Sequence, residues 1–253
     1  MVSYRKVGFI GGFAGIAVAK QTFHAVDAQV KVIRAARDGA NVLRNHTVLV
    51  IEGDARSLLK AERVALNFLQ RLSGIATLTA KFCDAVHGRR VKIFDTRKTT
   101  PGLRALEKWA VTLGGGHNHR HSLGDGVLIK DNHLELAGHD LASACRLARK
   151  RAPRRLKIEV EAKTFGEVRA ALDGKADIIL LDNMTVPAIR QAVKLIKHRA
   201  AVEVSGGVTL ANVRKIAAAG PDRISIGALT HSAPAADLSM DIVPLRRRTG
   251  LRQ

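Results

Sequence analysis

Six short runs rich in β-branched and other apolar residues recur through the last two thirds of the chain: Val91 to Phe94, Val127 to Ile129, Lys157 to Val160, Asp177 to Leu181, Ala201 to Val204 and Arg223 to Ile226. Each is followed by a polar residue or a glycine and then, in most cases, by a stretch of helical periodicity. Thr164 to Glu167 reads as a capping box, and Thr185 and Thr209 stand where helix N-caps belong. Strand and helix in strict alternation imply parallel pairing, because a parallel neighbour is reached only through a crossover. Such a sheet is either open and doubly wound or closed into a barrel. No G-x-G-x-x-G follows the first run and Gly11-Gly12 lacks that spacing, which disfavours a dinucleotide-type open sheet, so a barrel is expected.

The residues just past each run carry the chemistry. They are Asp95-Thr96-Arg97-Lys98, Lys130-Asp131-Asn132-His133, Glu161, Asp182-Asn183, Ser205-Gly206-Gly207 and Gly227-Ala228. In a parallel barrel the strand C-termini share one rim, where active sites are built. The glycines after the last two runs let backbone N–H groups approach a phosphate at the start of a helix. Arg97, Lys98, Lys130, Glu161 and Asp182, with Arg120 arriving from the Gly114-Gly115-Gly116-His117-Asn118-His119-Arg120 loop, suit a substrate with several anionic groups bound with a divalent metal. Taken singly, a lysine after a strand is a solvated charge and Asp182-Asn183 is turn chemistry. Recurrence at successive strand ends is what marks a shared site.

Upstream lies a different pattern. A helical stripe of Ile16, Ala19, Phe23 and Val26 is followed by alternation at Val30 and Val32, an Asp38-Gly39 turn and a strand-like run from Thr47 to Ile51. Leu58, Ala61, Ala65, Phe68, Leu69 and Leu72 then mark a long amphipathic helix, which completes a small α/β layer unit. Arg5, Lys6 and the apolar run Val7 to Ala19 imitate a secretory signal. The stripe runs through the apparent cleavage point, so the segment is expected to be retained.

The chain carries 42 Lys and Arg against 22 acids, a net +20, which favours anionic partners. One Trp, one Tyr and seven Phe leave few platforms for stacking single-stranded bases. The basic run of Arg146, Arg149, Lys150, Arg151, Arg154, Arg155 and Lys157 has no interleaved aromatic, and Arg246 to Arg248 forms another; both read as solvated faces rather than specific nucleic-acid readers. His117, His119 and His121 alternate without an acid partner at ligand spacing, which speaks against zinc. Cys83 and Cys145 show no paired spacing and are expected as reduced, buried thiols.

Several segments together carry a resemblance: Asp95 to Arg104, the triple-glycine and Asn-His-Arg stretch at 114–120, Ile129 to His133, Glu159-Val160-Glu161, Leu180 to Asn183, Ser205-Gly206-Gly207, Gly227 to Ser232, and upstream Glu62 to Thr77. In this order they resemble the quinolinate phosphoribosyltransferases over nearly the whole chain. A molybdenum-transport-associated relative shares the Arg-Lys-Thr and triple-glycine segments, whereas the Asn-His-Arg and Lys-Asp-Asn-His stretches favour the quinolinate enzymes. A basic nucleic-acid-binding protein is the rival from another class.

The resemblance implies an N-terminal α/β open sandwich (1–75), a parallel α/β barrel of about seven strands (76–240) and a C-terminal tail (241–253) that returns to the sandwich. It implies a cytoplasmic homodimer in NAD biosynthesis, with Arg63 entering the partner's site and no membrane or specific nucleic-acid partner. Arg97, Arg120 and Lys130 would hold quinolinate carboxylates, with Lys98 and His119 helping to bind the anions. Glu161 and Asp182 would face the ribose hydroxyls and Mg2+ of phosphoribosyl pyrophosphate. Ser205, Gly206, Gly207, Gly227 and His231 would line the 5′-phosphate site, and Lys98, Lys130, Glu161 and Asp182 would be catalytic. Lys130 or Arg120 would stabilise the carbanion left by decarboxylation; the sequence does not choose between them. Family members usually begin with about thirty further residues, so a misassigned start or a reduced dimer surface is expected.

Overall fold

The computed structural model describes residues 2–4, 12–136, 138 and 140–244. Arg5, Lys6, the start of the apolar run and Arg246 to Arg248 lie outside them. In chain order the elements are β1 (Val2–Tyr4), α1 (Ile16–Val26), β2 (Lys31–Ala35), β3 (Thr47–Glu52), α2 (Ala55–Ala85), β4 (Lys92–Phe94), α3 (Arg104–Leu113), β5 (Val127–Ile129), α4 (Asp131–Leu136), α5 (Leu141–Arg151), β6 (Ile158–Ala162), α6 (Phe165–Asp173), β7 (Ile178–Asp182), α7 (Val186–Ile196), β8 (Ala201–Ser205), α8 (Val213–Ala217), β9 (Arg223–Ser225), α9 (Ala228–His231) and β10 (Leu238–Met240). They form two compact units, Met1–Thr77 with Pro234–Gln253, and Leu78–Ala233.

The first unit holds an antiparallel sheet in the order β10-β1-β3-β2. Its core joins Ile16, Ala19 and Phe23 of α1 to Leu58, Ala61, Ala65 and Leu69 of α2 and to Val48, Leu49 and Ile51 of β3. Val26, placed on the stripe by spacing, is instead exposed, because it sits at the last turn of α1. The Asp38 carboxylate accepts from the N–H groups of Gly15, Ile16 and Ala17 at 2.7, 2.9 and 3.1 Å, so the Asp38-Gly39 turn satisfies orphan donors at the start of α1. The chain returns to this unit earlier than residue 241: β10 pairs with β1, and Leu238 is buried in the same core.

In the second unit six parallel strands run in the order β4-β9-β8-β7-β6-β5. The outer edge of β4 carries one further bridge, Phe94 to His117, where the His117 N–H donates to Ile93 O at 2.8 Å and the Asp95 N–H to His117 O at 3.0 Å. Among the described residues the expected seventh strand is thus a single bridge, since three glycines lead into it and a tight loop leaves it. Alternation buries Ile158, Val160 and Ala162 on one face of β6 and turns Glu159 and Glu161 to the other. Thr164 closes its capping box with Glu167, and Thr185 caps α7. Thr209 does not cap α8; its carbonyl accepts from Asn212 and Val213 in a turn that delays the helix to Val213. No helix among the described residues is long and apolar enough to cross a membrane.

Candidate active site

Strand register assembles the site. Glu161 pairs with Leu180, Leu180 with Glu203 and Glu203 with Arg223, while Asp182 pairs with Ser205 and Ser205 with Ser225. Because side chains alternate, Glu159 and Glu161, Leu180 and Asp182, Glu203 and Ser205, and Arg223 and Ser225 all share one face of the sheet. Glu161, Asp182 and Ser205 lie inside their strands rather than just past them, so their backbones are held by ladder hydrogen bonds.

These residues line a cavity of about 900 Å³ at the C-terminal ends of the strands. Arg97, Lys98, His119, Arg120, Lys130, Glu161, Asp182, Ser205, Gly206, Gly207, Gly227 and His231 all reach it. Arg63 does not: it is an exposed residue of α2 in the first unit, off the buried positions Ala61 and Ala65. Lys130 Nζ donates to Glu161 Oε1. The Nε of Arg97 is buried without a partner among the described residues. Burial and then the nearby Arg97 charge lower the pKa of Arg120, whose Nη1 donates to Gly126 O at 3.1 Å.

Neighbours crowd the glycines, and at Gly206 the backbone conformation favours glycine as well. Gly206 has φ of 92°, and a Cβ there would stand 2.1 Å from Asn183 Oδ1. At Gly227 a Cβ would lie 3.0 Å from His231 Nε2 and 3.2 Å from Lys98 Cδ. The helix start expected after these glycines is present at Gly227, the N-cap of the single-turn α9, whereas Gly206-Gly207 opens a turn and α8 begins only at Val213. Thr230 Oγ1 donates to Lys98 O at 2.8 Å, tying α9 to the segment that carries Arg97 and Lys98.

A fully buried ion pair sets the segment that delivers His119 and Arg120. Lys108 of α3 donates to Asp95 at the end of β4 and to His119 O at 3.0 Å; Asp95 Oδ1 also accepts from the His119 N–H at 2.8 Å. In the orientation its neighbours require, the Asn118 amide donates to Asp95 Oδ2 at 2.6 Å and Lys108 O at 2.9 Å. Burial pushes the Asp95 carboxyl up and the Lys108 ammonium down, and their mutual attraction opposes both shifts. Beyond Arg120, Asp125 accepts from the N–H groups of His121 and Ser122, closing the loop.

At the cavity wall His119 Nε2 lies 3.0 Å from Glu159 Oε2 and 3.4 Å from Glu203 Oε1. Burial works against a charged ring, but hydrogen bonds to Glu159 and Glu203, with their charges, push the His119 pKa up to about 9. Two features pull the other way. The Arg120 N–H donates to His119 Nδ1 at 2.8 Å, for which a doubly protonated ring has no lone pair. Burial also raises the Glu159 carboxyl, which therefore competes with the ring for the cluster's proton. His119 was expected to hold anions, yet both its ring nitrogens already have protein partners. His117 packs on Phe94 with ring centroids 5.3 Å apart, away from this cluster.

Glu159, Glu203, Ser225 and Lys108 were not singled out as site residues from sequence. The available signal was a charged residue inside a short apolar strand, twice at period two in Ile158-Glu159-Val160-Glu161 and once in Ala201-Val202-Glu203-Val204. Cys145 is buried and Cys83 half-buried; both are free thiols whose pKa burial raises to about 11.

Comparison with known proteins gives the family. The family model for the quinolinate phosphoribosyl transferase N-terminal domain matches residues 7–73, and that for the C-terminal domain matches residues 75–241. A probable nicotinate-nucleotide pyrophosphorylase (carboxylating) of Bacillus subtilis is 43% identical over 232 residues, covering 92% of this chain and 80% of the relative. A mitochondrial quinolinate phosphoribosyltransferase (decarboxylating) of Nicotiana tabacum is 44% identical over 249 residues, covering 92% and 70%. The crystal structure of a nicotinate-nucleotide pyrophosphorylase from Ehrlichia chaffeensis superposes with a TM-score of 0.89 at 41% identity, over 95% of this chain and 86% of that one. Matched by both domain models in order, and by relatives along nearly its full length, this chain belongs to the quinolinate phosphoribosyltransferase family.

Proposed function

We propose that the chain transfers the phosphoribosyl group of phosphoribosyl pyrophosphate to quinolinate, releasing pyrophosphate and carbon dioxide and leaving nicotinate mononucleotide. The observation that carries this reading is the convergence of Arg97, Lys98, Arg120 and Lys130, of Glu161 and Asp182, and of the Gly206-Gly207 and Gly227 turns on one cavity. Two polyanions must meet there, and their mutual repulsion is offset by Arg97, Lys98, Arg120 and Lys130. Arg97 and Arg120 present guanidinium forks suited to the two carboxylates of a pyridine dicarboxylate.

The pyridine nitrogen attacks C1′ as the C1′–O bond to pyrophosphate breaks, with the bonding pair leaving on oxygen. Glu161 and Asp182 stabilise the positive charge that develops on the ribose. The ring nitrogen is now quaternary and withdraws electrons, so the bond from C2 to its carboxylate breaks, carbon dioxide leaves and the pair remains on C2. A proton then adds at C2. Lys130, paired with Glu161, places an ammonium beside this charge, and Arg120 is the alternative.

The donor set fits Mg2+, which prefers hard oxygen ligands and retains open positions for substrate phosphates. Glu161 and Asp182, diagonal neighbours on adjacent strands, would hold it, and it would supply charge neutralisation of the pyrophosphate. The chain acts as a cytoplasmic homodimer in this reading, with Arg63 reaching the partner's cavity.

Turnover of quinolinate with phosphoribosyl pyrophosphate, followed by carbon dioxide release with and without Mg2+, tests the activity. Release that does not depend on both substrates would refute it. Arg63→Ala and Glu161→Ala are each expected to be nearly inactive. If Arg63 acts in trans, reassorting the two gives about half mixed dimers with one restored site each, and about a quarter of wild-type activity. No recovery, with mixed dimers confirmed by mass, would remove the shared site.

A further inference from the structure

The cluster of His119, Glu159 and Glu203 takes no part in the chemistry just described, yet two of its three groups are buried glutamates. Its ligand atoms lie within 4.8 Å of one another, the composition of a metal centre. The far side of the ring contradicts a metal. A histidine that ligates through Nε2 keeps its proton on Nδ1 and donates it to an acceptor. Here Nδ1 faces a donor, the Arg120 N–H, at 2.8 Å. Nδ1 therefore presents its lone pair, and the ring proton sits on Nε2, aimed between Glu159 Oε2 and Glu203 Oε1.

Glu203 is itself braced. Ser225 on β9 donates to Glu203 Oε1, and Arg223 Nη1 lies 3.9 Å from Glu203 Oε2 while its guanidinium rests over the Phe94 ring at 5.0 Å. From the other direction, the His119 backbone is held at both its N–H and its carbonyl by Asp95 and Lys108. The ring is thus clamped at its tip by two strands and at its base by a third strand and a helix. What it holds in turn is the peptide of Arg120, the residue given a substrate carboxylate above.

We propose that Glu159 and Glu203 are positioning residues: by sharing the Nε2 proton of His119 they fix the ring so that Nδ1 holds the Arg120 peptide and the guanidinium is set for the substrate carboxylate. The proposal rests on the quinolinate reading for its substrate, but not for its ring geometry. His119 is then a strut, and the two acids act through it. A loss at either acid falls on binding of the pyridine dicarboxylate rather than on phosphoribosyl pyrophosphate or on the chemical step.

Three measurements on the full-length protein test this. In the first, Glu159→Gln and Glu203→Gln are expected to raise the KM for quinolinate about tenfold or more, with kcat within about threefold and the KM for phosphoribosyl pyrophosphate within about twofold. An equal loss in kcat at unchanged KM would overturn the proposal. Second, His119→Asn retains an acceptor where Nδ1 stands, whereas His119→Gln retains a donor where Nε2 stands. The asparagine variant should bind quinolinate about tenfold better than the glutamine variant, and the reverse order would refute the strut; this comparison decides the matter if the glutamate variants do not fold. Third, nitrogen NMR of the wild-type protein should show a lone-pair-bearing Nδ1 and a protonated Nε2. Stoichiometric Zn2+ binding by calorimetry that is lost in Glu203→Gln would restore the metal centre and sink the proposal. Absent quinolinate turnover by the wild type would fell the functional reading, while the NMR result would still decide the geometry.

Discussion

Replacing Asp95 by Asn should destabilise the second unit more than almost any other single substitution of its size. Asp95 and Lys108 are both fully buried, and the ammonium has two acceptors, Asp95 and the His119 carbonyl. In Asp95→Asn the ammonium keeps two neutral acceptors, the new amide oxygen and the His119 carbonyl, but it loses its counter-charge and stays out of reach of water. Stranding one partner of a buried pair costs about 3–5 kcal/mol. Lys108→Met strands the carboxylate instead, but that carboxylate retains the His119 N–H and the Asn118 amide, so the loss should fall at about 3 kcal/mol. The double variant removes both charges, and its loss should be smaller than the sum of the singles by about 2 kcal/mol or more. Trp109, beside Lys108 on α3, is the chain's one tryptophan and reports on this region. Urea unfolding followed by its fluorescence should show the Asp95→Asn midpoint lower by about 2 M, taking a slope near 2 kcal/mol/M. Strict additivity, or a single-variant loss under about 1 kcal/mol, would show that the pair does not hold this segment.

Other outcomes are open to direct measurement. Gly206→Ala combines a left-handed backbone with a Cβ 2.1 Å from Asn183 Oδ1; strain of about 1–3 kcal/mol should appear mainly as weaker phosphoribosyl pyrophosphate binding, read as its KM. Arg97→Ala and Lys130→Ala should each lower kcat/KM on the order of 10² to 10³, while Lys150→Ala on α5 should change it less than about twofold; equal effects would mean the site is misplaced. Although burial opposes it, the Ile158 N–H and Arg149 hold the Asp177 carboxyl below its usual range. Its stabilisation is present above the unfolded-state pKa and disappears as pH falls through the folded value. Asp177→Asn should therefore flatten the acid limb of an unfolding midpoint measured against pH. With thiols near pKa 11, only about one in a thousand is thiolate at pH 8, so iodoacetamide should label Cys83 and Cys145 in the native protein far more slowly than in the unfolded chain.

The parallel sheet was legible in sequence because its strands are buried on both faces and read as compact apolar runs, as Ile178 to Leu181 do. Strand ends were less so. Glu161, Asp182 and Ser205 look like loop residues by polarity, yet each continues the ladder, since a strand facing a polar cavity need not stop where its hydrophobic run stops. Thr209 misled for a local reason: an Asn212 side chain that accepts from its N–H builds a turn where a helix start was read. The acids beneath His119 escaped because histidine partners were sought at ligand spacing along the chain. Parallel strands bring Glu159 and Glu203 to the ring from distant segments, and only the register of β6, β7 and β8 shows that they meet.

The excess of cations points to anionic substrates, but the structure divides that excess between two tasks. Arg104 lies in the same motif as Arg97 and Lys98, yet its guanidinium is spent on the protein itself: Nε donates to Thr99 Oγ1, Nη1 to His121 O and Nη2 to Arg97 O. Arg199 likewise donates to Leu195 O and Ile196 O at the end of α7, and Arg149 pairs with Asp177. These groups stabilise loops and helix ends. Arg97 differs in kind, because its Nε is buried and without a partner among the described residues, a state that costs free energy unless something else accepts the bond. Net charge alone would not distinguish Arg97 from Arg104. Arg97 also lines the cavity, which Arg104 does not, so position on the cavity beside an open donor, rather than charge, separates these two arginines.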